Sequence, residues 1–75
     1  MATHYLDLSG LKCPMPVIYA RRQLKNLAIG DQLEMRVTDP EAPKDMEYLC
    51  QQTGQHLLKA DVQANGFLII IEKKR

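Results

Sequence analysis

The chain has 75 residues, of which 45% are hydrophobic and 25% charged, with a formal net charge of +1 and two cysteines. A single domain of this size, here residues 1–75, buries only about 60% of the surface its unfolded form exposes, which excludes a deep active site wrapped around a large substrate. The near-neutral balance lacks the basic excess of a nucleic-acid binder.

Leu6 and Leu8 alternate with Tyr5 and Asp7, so Tyr5 to Leu8 reads as a short first strand, broken by Ser9 and Gly10. Val17, Ala20, Leu24 and Leu27 then recur at helical spacing. Ile18 and Ala28 widen that stripe, while Arg21, Arg22 and Lys25 face water. Pro14 and Pro16 are tolerated only in a first helical turn, so the helix starts at Cys13 or Pro14 and stops at Gly30. Gln32 to Thr38 is the clearest strand, with Leu33, Met35 and Val37 on the inner face. Asp39, Pro40 and Pro43 turn the chain into a second helix that buries Met46, Leu49 and Cys50 and ends at Gly54. His56 to Gln63 forms a third strand with Leu58, Ala60 and Val62 on one face. Asn65-Gly66 turns it into a last strand, Phe67 to Lys73, and Lys73, Lys74 and Arg75 form a frayed tail.

The order is βαβαββ, an α/β arrangement. The right-handed crossover makes the first two strands parallel neighbours, and the hairpin makes the last two antiparallel. Both helices then cover one face of a mixed four-stranded sheet, and the other face is solvated.

Charge is unevenly spread along this frame. Lys12, Arg21, Arg22 and Lys25 stand in a stretch without acids, whereas Asp31, Glu34, Asp39, Glu41, Asp45 and Glu47 follow with only Arg36 and Lys44 among them. A positive face of this kind suits an acidic protein partner; as a plain solvated helix surface it needs no partner at all. The longest apolar run, Phe67 to Ile71, is far short of the ~20 residues that span a bilayer. The start of the chain shows no secretory signal, and two distant cysteines are not a disulfide framework. These features lead us to expect a cytoplasmic protein with reduced thiols. The basic tail discourages strand pairing between copies, so a monomer is expected.

Cys13 is where chemistry enters. As a helix N-cap its sulfur lies at the positive end of the helix dipole, which favours the thiolate. Pro14 and Pro16 have no N–H, so Met15 carries the sole donor of the first turn, and Lys12 adds a neighbouring positive charge. A sulfur with a low pKa is also a good leaving group in thiol exchange. One cysteine is enough for a persulfide relay, whereas a dithiol oxidoreductase needs a second, and position 16 is proline.

The run Leu6-Asp7, Gly10-Leu11-Lys12-Cys13-Pro14-Met15-Pro16-Val17 resembles the signature of the TusA/SirA-like sulfur carriers. The likeness continues through Gly30-Asp31, Thr38-Asp39-Pro40, Asp45, Gln52-Thr53-Gly54 and the closing hairpin. It implies a two-layer α/β sandwich and a sulfurtransferase activity without a cofactor. Cys13 of the Cys-Pro-x-Pro element would accept sulfane sulfur from a cysteine desulfurase or rhodanese. It would pass that sulfur on to tRNA thiolation, molybdenum-cofactor biosynthesis or sulfur oxidation. Gly10, Lys12, Pro14, Met15 and Pro16 support the motif, and Met15, Arg21, Arg22, Lys25 and Asp45 are candidate docking residues.

Cys50, on the apolar stripe of the second helix, reads as core. His4 and His56 match no zinc spacing with the cysteines, so no metal is expected. Asp39 and Asp45 read as residues that cap or flank the second helix. Two rival functions stay open: a regulatory module in which Cys13 is dispensable, and an RNA-binding module of the same fold.

Overall fold

The computed structural model describes residues 1–75. Its elements are β1 (Thr3–Leu8), α1 (Met15–Lys25), β2 (Gln32–Val37), α2 (Ala42–Thr53), β3 (His56–Gln63) and β4 (Gly66–Glu72). The sheet order is β1-β2-β4-β3, with β1 parallel to β2 and both other pairs antiparallel. The expected βαβαββ sandwich is therefore the observed one. No helix is long and apolar enough to cross a membrane.

The alternation of β2 carries the core. Leu33, Met35 and Val37 are fully buried and pair across the ladder with Ile71, Ile69 and Phe67 of β4. In an antiparallel pair opposed residues share a face, so the inner residues of both central strands form one apolar floor. Ala20 and Leu24 of α1 and Met46, Leu49 and Cys50 of α2 close over it. Each large side chain so buried contributes roughly 1.5–3 kcal/mol. Cys50 is 4% exposed, a core residue as expected.

Four expectations need correction. First, α1 ends at Lys25 rather than Gly30. Asn26 caps it, and Leu27 reaches the core from the following turn, while Ile18 and Ala28 lie exposed. Second, the hairpin turn is Ala64-Asn65, and Gly66 is already the first residue of β4. Third, a register shift between Leu57 and Lys59 changes the faces of β3. Leu57 packs against the core, and Leu58 and Val62 are exposed, because β3 is an edge strand that the helices scarcely cover. Fourth, the tail is held. Gln55 Oε1 accepts from the amides of Lys74 and Arg75, Gln55 Nε2 donates to the Arg75 carbonyl, and Lys73 Nζ donates to Leu27. Since β4 is central, the tail charges guard no edge. On the exposed edge β3 the bulge and the Lys59–Asp61 pair, 3.6 Å apart, interrupt the flat surface that strand pairing needs.

Asp31 organises the end of the sheet where β2 begins. It is the one buried charged residue, and it accepts from the amides of Ala2 and Ala28 and contacts the His4 ring at 3.1 Å. These contacts hold its carboxyl below the usual carboxylate range.

Gly66 sits where the backbone leaves no room for a side chain. Its φ is +153°, and a Cβ there would lie 2.2 Å from the Val37 carbonyl oxygen. Gly10, at φ +82°, faces open space. Gly66→Ala should therefore cost about 2–4 kcal/mol through overpacking and backbone strain. Gly10→Ala should cost only the roughly 1–2 kcal/mol of a left-handed residue. Urea unfolding followed by circular dichroism measures both, and equal losses would contradict the close approach at Gly66.

Candidate functional site

Because β1 and β2 run parallel, their carboxyl ends lie side by side, and the loops leaving them meet there. Crevices beyond the carboxyl ends of parallel strands are where open α/β sheets bind ligands. The β1–α1 loop is tied to the β2–α2 turn by two side chains. Thr38 Oγ1 accepts from the Gly10 amide at 2.8 Å. Asp39 Oδ2 accepts from the Cys13 amide at 2.5 Å, and its Oδ1 accepts from the Glu41 amide at 3.0 Å. These two N–H bonds, helped by the charge of Lys12, hold the Asp39 carboxyl below its ordinary range.

Cys13 is exposed on this loop. On one side lies a shallow groove of about 260 Å³ between the helices, lined by Cys13, Pro14, Val17, Arg21, Asp45 and Tyr48. On the other lies an open hollow bounded by Gly10, Lys12, Thr38, Asp39 and Glu41. The sulfur can be approached from both.

The electrostatics are not those of an N-cap thiolate. Pro14, not Cys13, is the N-cap of α1, and no side chain bonds the helix end. The Met15 amide, the expected donor to sulfur, bonds the Lys12 carbonyl at 2.9 Å, closing a tight turn through a cis Cys13–Pro14 peptide. The sulfur instead donates to Asp45 Oδ2 at 3.3 Å. That hydrogen bond, partial desolvation and the charges of Asp45, Asp39 and Glu41 push the Cys13 thiol up, the reverse of the expected shift. The sequence marks Asp45 as a residue that flanks the second helix and a docking candidate; its approach to Cys13 depends on how α1 and α2 pack.

The other sequence-predicted residues are dispersed around this centre. Pro16 is buried beneath the first turn, so it packs as well as starting the helix. Met15 is 37% exposed beside the cysteine. Arg21 reaches the sulfur groove, but Arg22 lies over the Tyr19 ring at 5.7 Å. Lys25 lines a separate basic hollow of about 120 Å³ with Arg21, Lys73 and Arg75. Asp39 flanks α2, accepting from the amide of its N-cap Glu41, and in addition binds the cysteine loop; Asp45 lies in the first turn of that helix. His4 and His56 lie towards the Asp31 end of the sheet, where Thr3 and His56 share the row of Gln32 and Glu72. Burial pushes the Cys50 thiol up to about 11.

Iodoacetamide should therefore modify Cys13 and spare Cys50 in the folded protein. The Cys13 rate should go on rising beyond the ordinary thiol value of 9.0, since its thiol is raised. Peptide mass spectrometry across a pH series checks both. A profile that levels off below that value would contradict the acid surroundings, and equal labelling would contradict the burial of Cys50.

Comparison with known proteins places this geometry in a family. The sequence model of the family described as Sulfurtransferase TusA matches residues 4–73. A Neisseria meningitidis protein is 40% identical over 74 residues, covering 99% of this chain and 100% of its own. The sulfur carrier protein TusA of Allochromatium vinosum is 35% identical over 68 residues, covering 91% of this chain and 90% of its own. The crystal structure of the SirA-like protein from Desulfitobacterium hafniense superposes with a TM-score of 0.80 over the whole of both chains, at 23% identity, a likeness of fold. With the family model spanning nearly every residue from β1 to the end of β4, the chain belongs to the TusA sulfurtransferase family.

Proposed function

We propose that this chain is a single-domain sulfur carrier that takes up sulfane sulfur as a persulfide on Cys13 and hands it to a partner protein. The observation that carries this reading is an exposed sulfur on a loop held by Thr38 and Asp39, open on two sides and without a second thiol beside it. In loading, the Cys13 sulfur attacks the outer sulfur of a donor persulfide. The donor's S–S bond breaks, its inner sulfur leaves with the electron pair, and the proton lost by Cys13 ends on the donor thiol. Delivery is the same exchange with Cys13 as leaving group, so no external oxidant or reductant is needed.

A transfer of this kind needs the two sulfurs within bonding distance, so donor and acceptor must dock over the cysteine. A cysteine desulfurase or rhodanese suits the donor role, and tRNA thiolation, molybdenum-cofactor synthesis or sulfur oxidation the onward route. Met15, Ile18 and Tyr48 offer exposed apolar surface on the two helices beside the groove, and Arg21 offers charge. Arg22 and Lys25 extend the docking face along α1. Two free thiols fit the reducing cytoplasm and a monomeric carrier. The basic hollow of Arg21, Lys25, Lys73 and Arg75 favours one other reading, RNA binding in which Cys13 is dispensable. That reading predicts an affinity falling steeply with salt.

The two readings separate on Cys13→Ser, which changes one exposed atom. Incubated with a cysteine desulfurase, cysteine and the desulfurase cofactor, the wild type should gain the mass of one sulfur atom, and Cys13→Ser should fold normally and gain none. An unchanged wild-type mass beside an active desulfurase contradicts the carrier reading, as does full activity of Cys13→Ser in a deletion strain.

A further inference from the structure

A carrier differs from an enzyme with a reactive cysteine in having to keep its cargo between partners. Glutathione and other free thiols can attack a persulfide just as an intended acceptor does. The rate of that attack falls as the pKa of the departing sulfur rises. The surroundings of Cys13 bear directly on this.

Five charged groups and one phenol face the loop that carries the sulfur. Asp45 and Tyr48 come from α2, Arg21 from α1, Asp39 and Glu41 from the β2–α2 turn, and Lys12 from the loop itself. Their roles differ. Asp39 has both oxygens on amides, those of Cys13 and Glu41. Lys12 acts on Asp39, lowering its carboxyl. Asp45 is the side chain that hydrogen-bonds the sulfur, its Oδ2 accepting from the thiol at 3.3 Å. The first turn of α2 fixes it there, with the Asp45 amide bonded to the Glu41 carbonyl at 3.0 Å.

We propose that Asp45 is a positioning residue whose carboxylate, set against the Cys13 sulfur, opposes the negative charge that grows there when a free thiol attacks the persulfide, and so retards loss of the loaded sulfur. The inference rests on the sulfur-carrier reading and adds a brake to it. When a free thiolate attacks the outer sulfur of the Cys13 persulfide, the S–S bond breaks and negative charge grows on the Cys13 sulfur. A carboxylate in contact with that atom opposes the charge until a proton arrives from solvent. The products are the Cys13 thiol and the attacker's persulfide, with no net oxidation. The same contact accounts for a raised thiol in an exposed cysteine, with Asp39 and Glu41 adding to it.

The test compares wild type, Asp45→Asn and Asp45→Glu, with folding checked by circular dichroism. Each protein is loaded with glutathione persulfide, freed of excess reagent and challenged with glutathione between pH 6 and 9. Persulfide loss is followed by intact mass, and unloaded samples are titrated with iodoacetamide. Asp45→Asn should release its sulfur about three- to tenfold faster near pH 7, and its alkylation profile should move to lower pH. Asp45→Glu, which keeps the charge, should stay close to wild type. Unchanged release and an unchanged alkylation profile in a folded Asp45→Asn protein would overturn the brake. A wild-type protein that takes up no sulfur would sink the carrier reading instead, and the alkylation profiles would still decide whether Asp45 governs the thiol.

Discussion

Asp39 joins two amides that the chain places 28 residues apart, those of Cys13 and Glu41. Much of the site depends on this one side chain. Between Leu8 and Met15 the backbone has no ladder to pair with, so the segment needs partners elsewhere. Apart from local turns, the side chains that accept from its amides are Thr38 and Asp39 at the end of β2. Parallel pairing of β1 with β2 brings those residues alongside, and the β2 core residues secure the pairing from below. A sulfur at the tip of a six-residue connection is thereby presented at a fixed position, as a group-transfer reaction requires.

The acid surroundings of that sulfur distinguish it from a cysteine activated in its resting state. Catalytic thiols are generally set among positive charges that lower their pKa. Here the side chain hydrogen-bonded to the sulfur is a carboxylate, and the helix start that should have favoured the thiolate turns its Met15 amide to the Lys12 carbonyl instead. Protein partners would have to supply the activation. A carrier can afford an inert resting state because chemistry is needed only in a docked complex.

Legibility followed the range of the interactions. The strand β2 was plain, since every second residue from Leu33 is apolar and each of these is buried. Gly54 closed α2 as expected, with φ +77° and its amide on the Cys50 carbonyl. Cys13 stood out through its proline neighbours. The faces of β3 were misread because a bulge is a property of pairing with β4, and the alternation Leu58, Ala60, Val62 has no mark of it. The tail looked free because its anchor, Gln55, is about twenty residues away in sequence. The same holds at the site. Local rules gave the helix start, but the contact from Asp45 comes from the second helix, and it raises the thiol where the helix start alone would lower it.

The most direct measurement is made on the protein drawn from growing cells. Persulfides are trapped with an electrophile at the moment of lysis, and the digested protein is sequenced by tandem mass spectrometry. The relay requires the trapped sulfane sulfur on the peptide that contains Cys13, with the Cys50 peptide unmodified. Sulfur found on Cys50, or on neither cysteine while sulfane sulfur is abundant in the same cells, would contradict it.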